Sequence, residues 1–259
     1  MSRTGKGTVP ALAALAVVFL AGSAAAQDAE TLYRRCINAL LTTTFEAKGT
    51  LQSTSGARAE LRVRRSVKDG VIRTWIEVQQ PSDARGQRFL LWNRPDGNNE
   101  GWWYDPKTKQ VKELDAQAWR QPFLKSDFSL ADLLFVGAAG HTFEIGGEEN
   151  YGGQTFTVVH LYAKDKAAAP YPHRVYSLDP RQNVLLRALY FDASDKPVKR
   201  WIAERIERRG SEWFPLEQKM LAVGASQQSS SLQLSDLRYE PELPPDAFDK
   251  AALAAAPKK

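Results

Sequence analysis

From Thr43 to Tyr239 the apolar residues recur at every second position in one short segment after another, and almost nowhere at the spacing of a long helix. The alternating stretches fall at 43–52, 57–68, 71–80, 87–93, 101–105, 110–114, 141–151, 154–163, 173–179, 184–192, 199–208, 213–222 and 228–239. Turn chemistry separates them: Ser55-Gly56, Asp69-Gly70, Pro81 to Gly86, Pro95-Asp96-Gly97, Asp105-Pro106, Gly152-Gly153, Asp179-Pro180 and Asp195-Lys196-Pro197. Asp69-Gly70 between two alternating runs is a strong hairpin signal. Connections this short cannot hold crossover helices, so the strands must run antiparallel as a meander within a single domain. A sheet of this size with one apolar face has to close on itself or be covered.

Only two segments break the pattern. Ahead of the strands, Ala29 to Leu41 puts Leu32, Tyr33, Cys36, Ile37, Leu40 and Leu41 on one helical face. Midway, residues 118–137 (AWRQPFLKSDFSLADLLFVG) predict a short helical insertion. Ser126 or Ser129 can cap it, with Asp132 closing a capping box on Ser129. Its apolar residues Phe123, Phe128, Leu130, Leu133, Leu134 and Phe135 form either a plug on the sheet or a displaceable lid. The alanine-rich C-terminal stretch is expected to be loosely ordered.

Residues 1–26 join a basic start (Arg3, Lys6) to an apolar run from about Val9 to Ala21 and small residues ending at Ala26, the pattern of a cleaved export signal. The mature domain is then 27–259, and its net charge falls from +5 to +3 with the loss of Arg3 and Lys6. Basic pairs such as Arg64-Arg65 and Arg208-Arg209 are interleaved with Glu60, Glu204 and Glu207, which argues against a nucleic-acid surface. The single cysteine, Cys36, excludes an internal disulfide framework despite an oxidising destination, and a soluble monomer in a bacterial periplasm is expected. His141, His160 and His173 lack metal-ligand spacing, and there is no G-x-S-x-G elbow or phosphate-cradling glycine loop. No cofactor and no enzymatic activity are therefore expected.

Several short motifs occur in a telling order: Trp75-Ile76-Glu77 with Pro81, Arg85-Gly86-Gln87 before Phe89-Leu90-Leu91, Trp103-Tyr104-Asp105-Pro106, Ser126-Asp127-Phe128-Ser129 with Asp132-Leu133, and Leu243-Pro244-Pro245-Asp246-Ala247-Phe248. In that order they resemble the outer-membrane lipoprotein-sorting (Lol-carrier-like) proteins. The resemblance implies a mainly β fold, a single antiparallel half-barrel of about eleven strands with helices lying over its concave face. It also implies a soluble periplasmic carrier or sensor of acylated ligands, with lipid or lipoprotein acyl chains as cargo. An inner-membrane exporter and an outer-membrane acceptor would be its partners.

Alternation alone separates the faces in only some strands. In Gly101-Trp102-Trp103-Tyr104, Trp102 and Tyr104 share one side and Trp103 takes the other. Ile72, Ile76 and Val78 share a face, expected to be concave. In 87–93, Phe89 and Leu91 oppose Leu90 and Trp92, and both pairs are equally apolar; Phe89 and Leu91 are assigned to the concave side. The expected apolar cavity is thus lined by Ile72, Ile76, Val78, Phe89, Leu91, Trp103, Phe128, Leu130, Leu133 and Leu134. The function expected is transfer of acyl chains toward the outer membrane; a lipid sensor acting on a membrane partner, or an envelope hydrolase, are the alternatives.

Overall fold

Every strand among the described residues hydrogen-bonds into one antiparallel sheet. The computed structural model describes residues 28–134, 139–209, 212–224 and 228–255, so the expected export signal and Phe135 of the expected insertion lie outside the described residues. The strands are β1 (Phe45–Ser53), β2 (Arg58–Lys68), β3 (Val71–Gln80), β4 (Arg88–Asn93), β5 (Glu100–Asp105), β6 (Gln110–Glu113), β7 (His141–Tyr151), β8 (Gln154–Ala163), β9 (His173–Asp179), β10 (Val184–Phe191), β11 (Pro197–Arg209), β12 (Glu212–Ala222) and β13 (Ser229–Tyr239). Their order across the sheet is β6-β5-β4-β3-β2-β1-β13-β12-β11-β10-β9-β8-β7. Two meanders are thus joined at the centre by the pairing of β1 with β13, from Phe45↔Tyr239 to Ser53↔Ser230. The edges, β6 and β7, do not pair with each other, and the sheet stays open.

The sheet has 13 strands, not about eleven. One reason is local: Asp105 accepts hydrogen bonds from the Lys107 amide (2.9 Å) and the Thr108 hydroxyl (3.1 Å), folding back the four-residue edge strand β6. The Asp69-Gly70 hairpin forms as its chemistry requires, with both residues at positive φ (54° and 72°).

The amphipathic segment forms helix α1 (28–36), a break at Ile37, and α2 (Asn38–Thr42). Ala29, Tyr33, Cys36, Ile37 and Leu40 are buried against the concave face. Tyr33 stacks on Phe143 of β7 and Tyr176 of β9, at 5.3 and 5.2 Å between ring centroids.

The mid-chain insertion joins edge β6 to edge β7. Where one short helix was expected, it makes α3 (Ala116–Arg120) and two 3-10 turns, Phe123–Lys125 and Leu130–Leu133. Leu124 and Lys125 have positive φ and interrupt any continuous helix. The Phe123 amide donates to the Phe128 carbonyl (2.6 Å), pinching the loop between them. Trp119 of α3 lies so close to β5 that a Cβ on Gly101 would sit 2.6 Å from its ring, which only glycine permits.

The C-terminal segment corrects a second expectation. It is not loose: the 3-10 turns Pro245–Phe248 and Lys250–Leu253 dock on the convex face, where Phe248 and Leu253 bury Trp75, Leu90 and Trp102. Arg88 fixes this segment by donating to the carbonyls of Leu253 (2.7 Å) and Ala255 (2.6 Å), and the Trp92 indole donates to the Phe248 carbonyl (3.2 Å). Both sides of β3 to β5 are therefore apolar because both are covered. Leu253→Ala is expected to cost about 3 kcal/mol in urea unfolding, with a change in tryptophan emission from Trp75 and Trp102; a cost near zero would mean that this segment does not seal the convex face.

Candidate functional site

The concave face carries one continuous apolar cluster running from β1 through both halves of the sheet, and the insertion lies across it. Beneath the insertion is a cavity of about 70 Å³. Phe45, Leu61, Val63 and Ile76 form its floor, with Phe214, Leu232 and Leu234 from the far half, and Phe123, Phe128 and Leu133 close it from above. That volume is roughly twice what one water molecule occupies in the liquid, and under half of an engineered cavity that admits benzene. The closed structure therefore leaves a hollow but no room for an acyl chain.

Polar contacts hold the insertion at a few points. The Asp127 amide donates to Ser230 Oγ (2.9 Å), and the Ser230 hydroxyl donates back to Asp127 Oδ2 (2.6 Å), tying the loop to β13. The Ser129 amide and hydroxyl both donate to Asp132 Oδ2 (2.7 and 2.8 Å), so Ser129 and Asp132 organise the second turn. Lys199 Nζ on β11 donates to the same oxygen at 2.7 Å. Burial works against the Lys199 ammonium, but Asp132 and Tyr171 outweigh it and hold its pKa above the usual lysine value. Asp132 is fully enclosed, and its second oxygen, Oδ1, has no hydrogen-bond partner.

Of the residues expected to line the cavity, Ile76, Phe128 and Leu133 do so. Val78, Phe89, Leu91 and Leu130 are buried in the same concave cluster but outside the hollow, and Trp103 and Leu134 pack at its margin. Phe89 meets Phe123 of the insertion edge-on, with centroids 5.2 Å apart. Leu90 and Trp92 face the other way, onto the C-terminal segment. Ile72 is buried but belongs to neither apolar cluster. Arg85 closes a turn, donating to the Gln79 carbonyl (3.0 Å), with Gly86 at φ 82°.

Sequence periodicity gave no sign of the charges on the concave face. Arg65 lines the hollow with its guanidinium 5.8 Å from the centre of the Phe45 ring, and burial pushes its pKa down to about 10. Arg174 of β9 is likewise buried, between Tyr171 and Tyr190 (5.4 and 5.9 Å). On the convex face, the pairing of β8 with β9 joins two histidines 13 positions apart. His160 Nδ1 and His173 Nε2 are 3.0 Å apart, and His173 Nδ1 lies 2.7 Å from Asp195 Oδ1. The hydrogen-bonded row ends at Tyr162, whose hydroxyl is 3.3 Å from His160, so it delivers no serine or cysteine nucleophile. Among the described residues, no group of His, Cys, Asp and Glu is placed to hold a metal, and no helix is long and apolar enough to cross a membrane.

A family model described as "-like: Uncharacterized protein" matches residues 70–255. No curated protein matches the chain by sequence. Among solved structures, the chain is similar to an outer membrane lipoprotein-sorting protein domain from Vibrio parahaemolyticus, at 21% identity and a TM-score of 0.79 over 90% of this chain and 99% of that one. A DUF1329 family protein from Desulfovibrio piger aligns at 20% identity and a TM-score of 0.78, covering 88% of this chain and 99% of that one. A LolA superfamily protein from Nitrosomonas europaea aligns at 16% identity and 0.67, over 86% of this chain and 98% of that one.

Two outcomes follow for the helix and the insertion. Burial raises the Cys36 thiol from 9.0 to about 12. The unfolded chain loses this proton from pH 9 upward while the folded chain keeps it, so stability is intact below pH 9 and declines as pH climbs toward 12. Cys36→Ala should make that decline shallower by up to about 1.4 kcal/mol per pH unit, read from urea midpoints across the range. Asp132→Ala should cost about 3 kcal/mol by stranding Lys199, and adding Lys199→Met should restore most of it; a double variant as weak as the single one would show that the pair does not anchor the insertion.

Proposed function

The chain belongs to the family whose model covers residues 70–255 and has the Lol-carrier-like fold, and from that premise we propose that it is a non-enzymatic periplasmic carrier that shields acyl chains between its concave sheet face and the insertion. One observation carries the reading: the apolar face is covered by a loop held at a few polar points, above a hollow that its own side chains leave unfilled. The signal-like pattern of residues 1–26 supports the periplasmic location. Cargo would come from an inner-membrane exporter and pass to an outer-membrane acceptor, without a covalent step.

Magnitudes define how loading must work. A dozen methylenes moved out of water gain about 10 kcal/mol. Exposing Phe123, Phe128 and Leu133 would cost about 6 kcal/mol, and association costs a further ~4 kcal/mol or more. These terms cancel, so the insertion cannot simply swing into water. It must rise and close again on the acyl chain, exchanging contacts with the sheet for contacts with cargo.

The test is to pin the loop. In Asp127→Cys/Ser230→Cys, oxidation should stop uptake of a fluorescent fatty acid and reduction should restore it, while solvent extracts of wild-type protein from a periplasmic fraction should contain acyl lipid by mass spectrometry. Unimpeded uptake by the oxidised variant would remove the insertion from the mechanism, and wild-type protein that neither contains nor takes up lipid would end the carrier reading.

A further inference from the structure

Beside the hollow, the two halves of the molecule leave an open cleft of about 560 Å³. One wall is the β4–β5 turn with α3, the other the start of β7 with the β8–β9 loop, and Ala131 and Leu134 of the insertion form its inner boundary. Arg174 lies at its floor. The same three residues also face a small interior void of about 20 Å³, lined besides by Tyr33, Tyr176 and Tyr190. The insertion turn is therefore a partition, with a polar cleft open to solvent on one side and the apolar concave face on the other.

Arg174 is 6% exposed, and its Nε has no hydrogen-bond partner. It takes part in none of the ion pairs formed by the described residues; Asp132 lines the same small void, with Oδ1 free of hydrogen bonds, but is not paired with it. Asp132 serves Ser129 and Lys199, Asp165 accepts from the Ala167 and Ala168 amides, and Asp96 accepts from Asn98. Ring faces at 5.4 and 5.9 Å offset only part of the cost of burying a guanidinium. Burial keeps the hydroxyls of Tyr33 and Tyr190 protonated well beyond their usual range, so both stay neutral, and that of Tyr33 is spent on Tyr176. A buried cation that forms no ion pair, at the floor of an open cleft, is placed to take an anion from it.

We propose that the cargo is an anionic amphiphile, its acyl chain under the insertion and its carboxylate or phosphate headgroup on Arg174. The inference rests on the carrier reading and adds to it the charge and position of the headgroup. Because the headgroup completes the ion pair, Arg174 should matter to binding and not to the stability of the empty protein.

Calorimetric titration of the whole mature chain with laurate, lauryl phosphate and uncharged methyl laurate tests this. Wild-type protein should bind at least one of the two anions about tenfold or more tighter than the ester, a charge-assisted bond's worth. Arg174→Gln should abolish the difference while binding of the ester persists, and Arg174→Lys should keep part of it. Without ligand, Arg174→Gln should unfold at the same temperature as wild type or higher. Equal affinity for acid and ester in wild type, or a preference that survives in Arg174→Gln, would overturn the headgroup assignment and leave the carrier reading standing. Binding of inorganic phosphate as tight as that of lauryl phosphate would make the cleft a free-anion site and overturn it too. No binding of any of the three probes would overturn both.

Discussion

An open antiparallel sheet with an apolar concave face has no second sheet to pack against, and the rest of the molecule answers that deficit. The chain covers the face with what it has between strands: an amphipathic helix ahead of β1 and a loop of short turns between the two edges. A loop can meet a sheet only through scattered side chains, so contact is good where Phe123 meets Phe89 and incomplete over Ile76 and Phe214, where the hollow remains. The cavity is a consequence of this architecture rather than a local packing fault.

The way the loop is fastened matters as much as what it covers. Apolar contacts on a face are interchangeable, because an acyl chain buries the same surface as a phenylalanine. The polar fastenings are specific: Ser230 recognises Asp127, and Lys199 recognises Asp132. Register comes from the hydrogen bonds and most of the energy from the rings. Such a cover can return to one position after being displaced, which a purely greasy plug would not do reliably.

Much of this was legible in the amino-acid sequence. Turn residues such as Asp69-Gly70 and Gly152-Gly153 and the alternation between them gave the strands nearly to the residue, and Ser129 with Asp132 was visible as a cap. Three things were not. Phe89-Leu90-Leu91-Trp92 is apolar on both faces, and nothing local shows that the convex side is covered from Phe248 and Leu253, some 160 positions later. Leu124 and Lys125 adopt a left-handed backbone that their side chains do not announce, which sets a separate turn, Phe123–Lys125, ahead of the expected helix, itself only the 3-10 turn Leu130–Leu133. Arg174 reads as one more strand-surface charge; only the position of β9 beneath the insertion shows it to be enclosed. Periodicity reports which residues share a side, and burial of that side depends on chain that is remote in sequence.

The pairing of β1 with β13 carries one more implication. The centre of the sheet is made from the first and last strands, and its margins from the middle of the sequence. During synthesis each meander can zip up hairpin by hairpin, but the seam between them must wait until nearly the whole polypeptide has emerged. Until then Phe45 to Ser53 is an unpartnered border with a greasy side, open to any stray strand. The first strand to be made is the last to be protected, so quality control of the nascent chain has most to do along that strand.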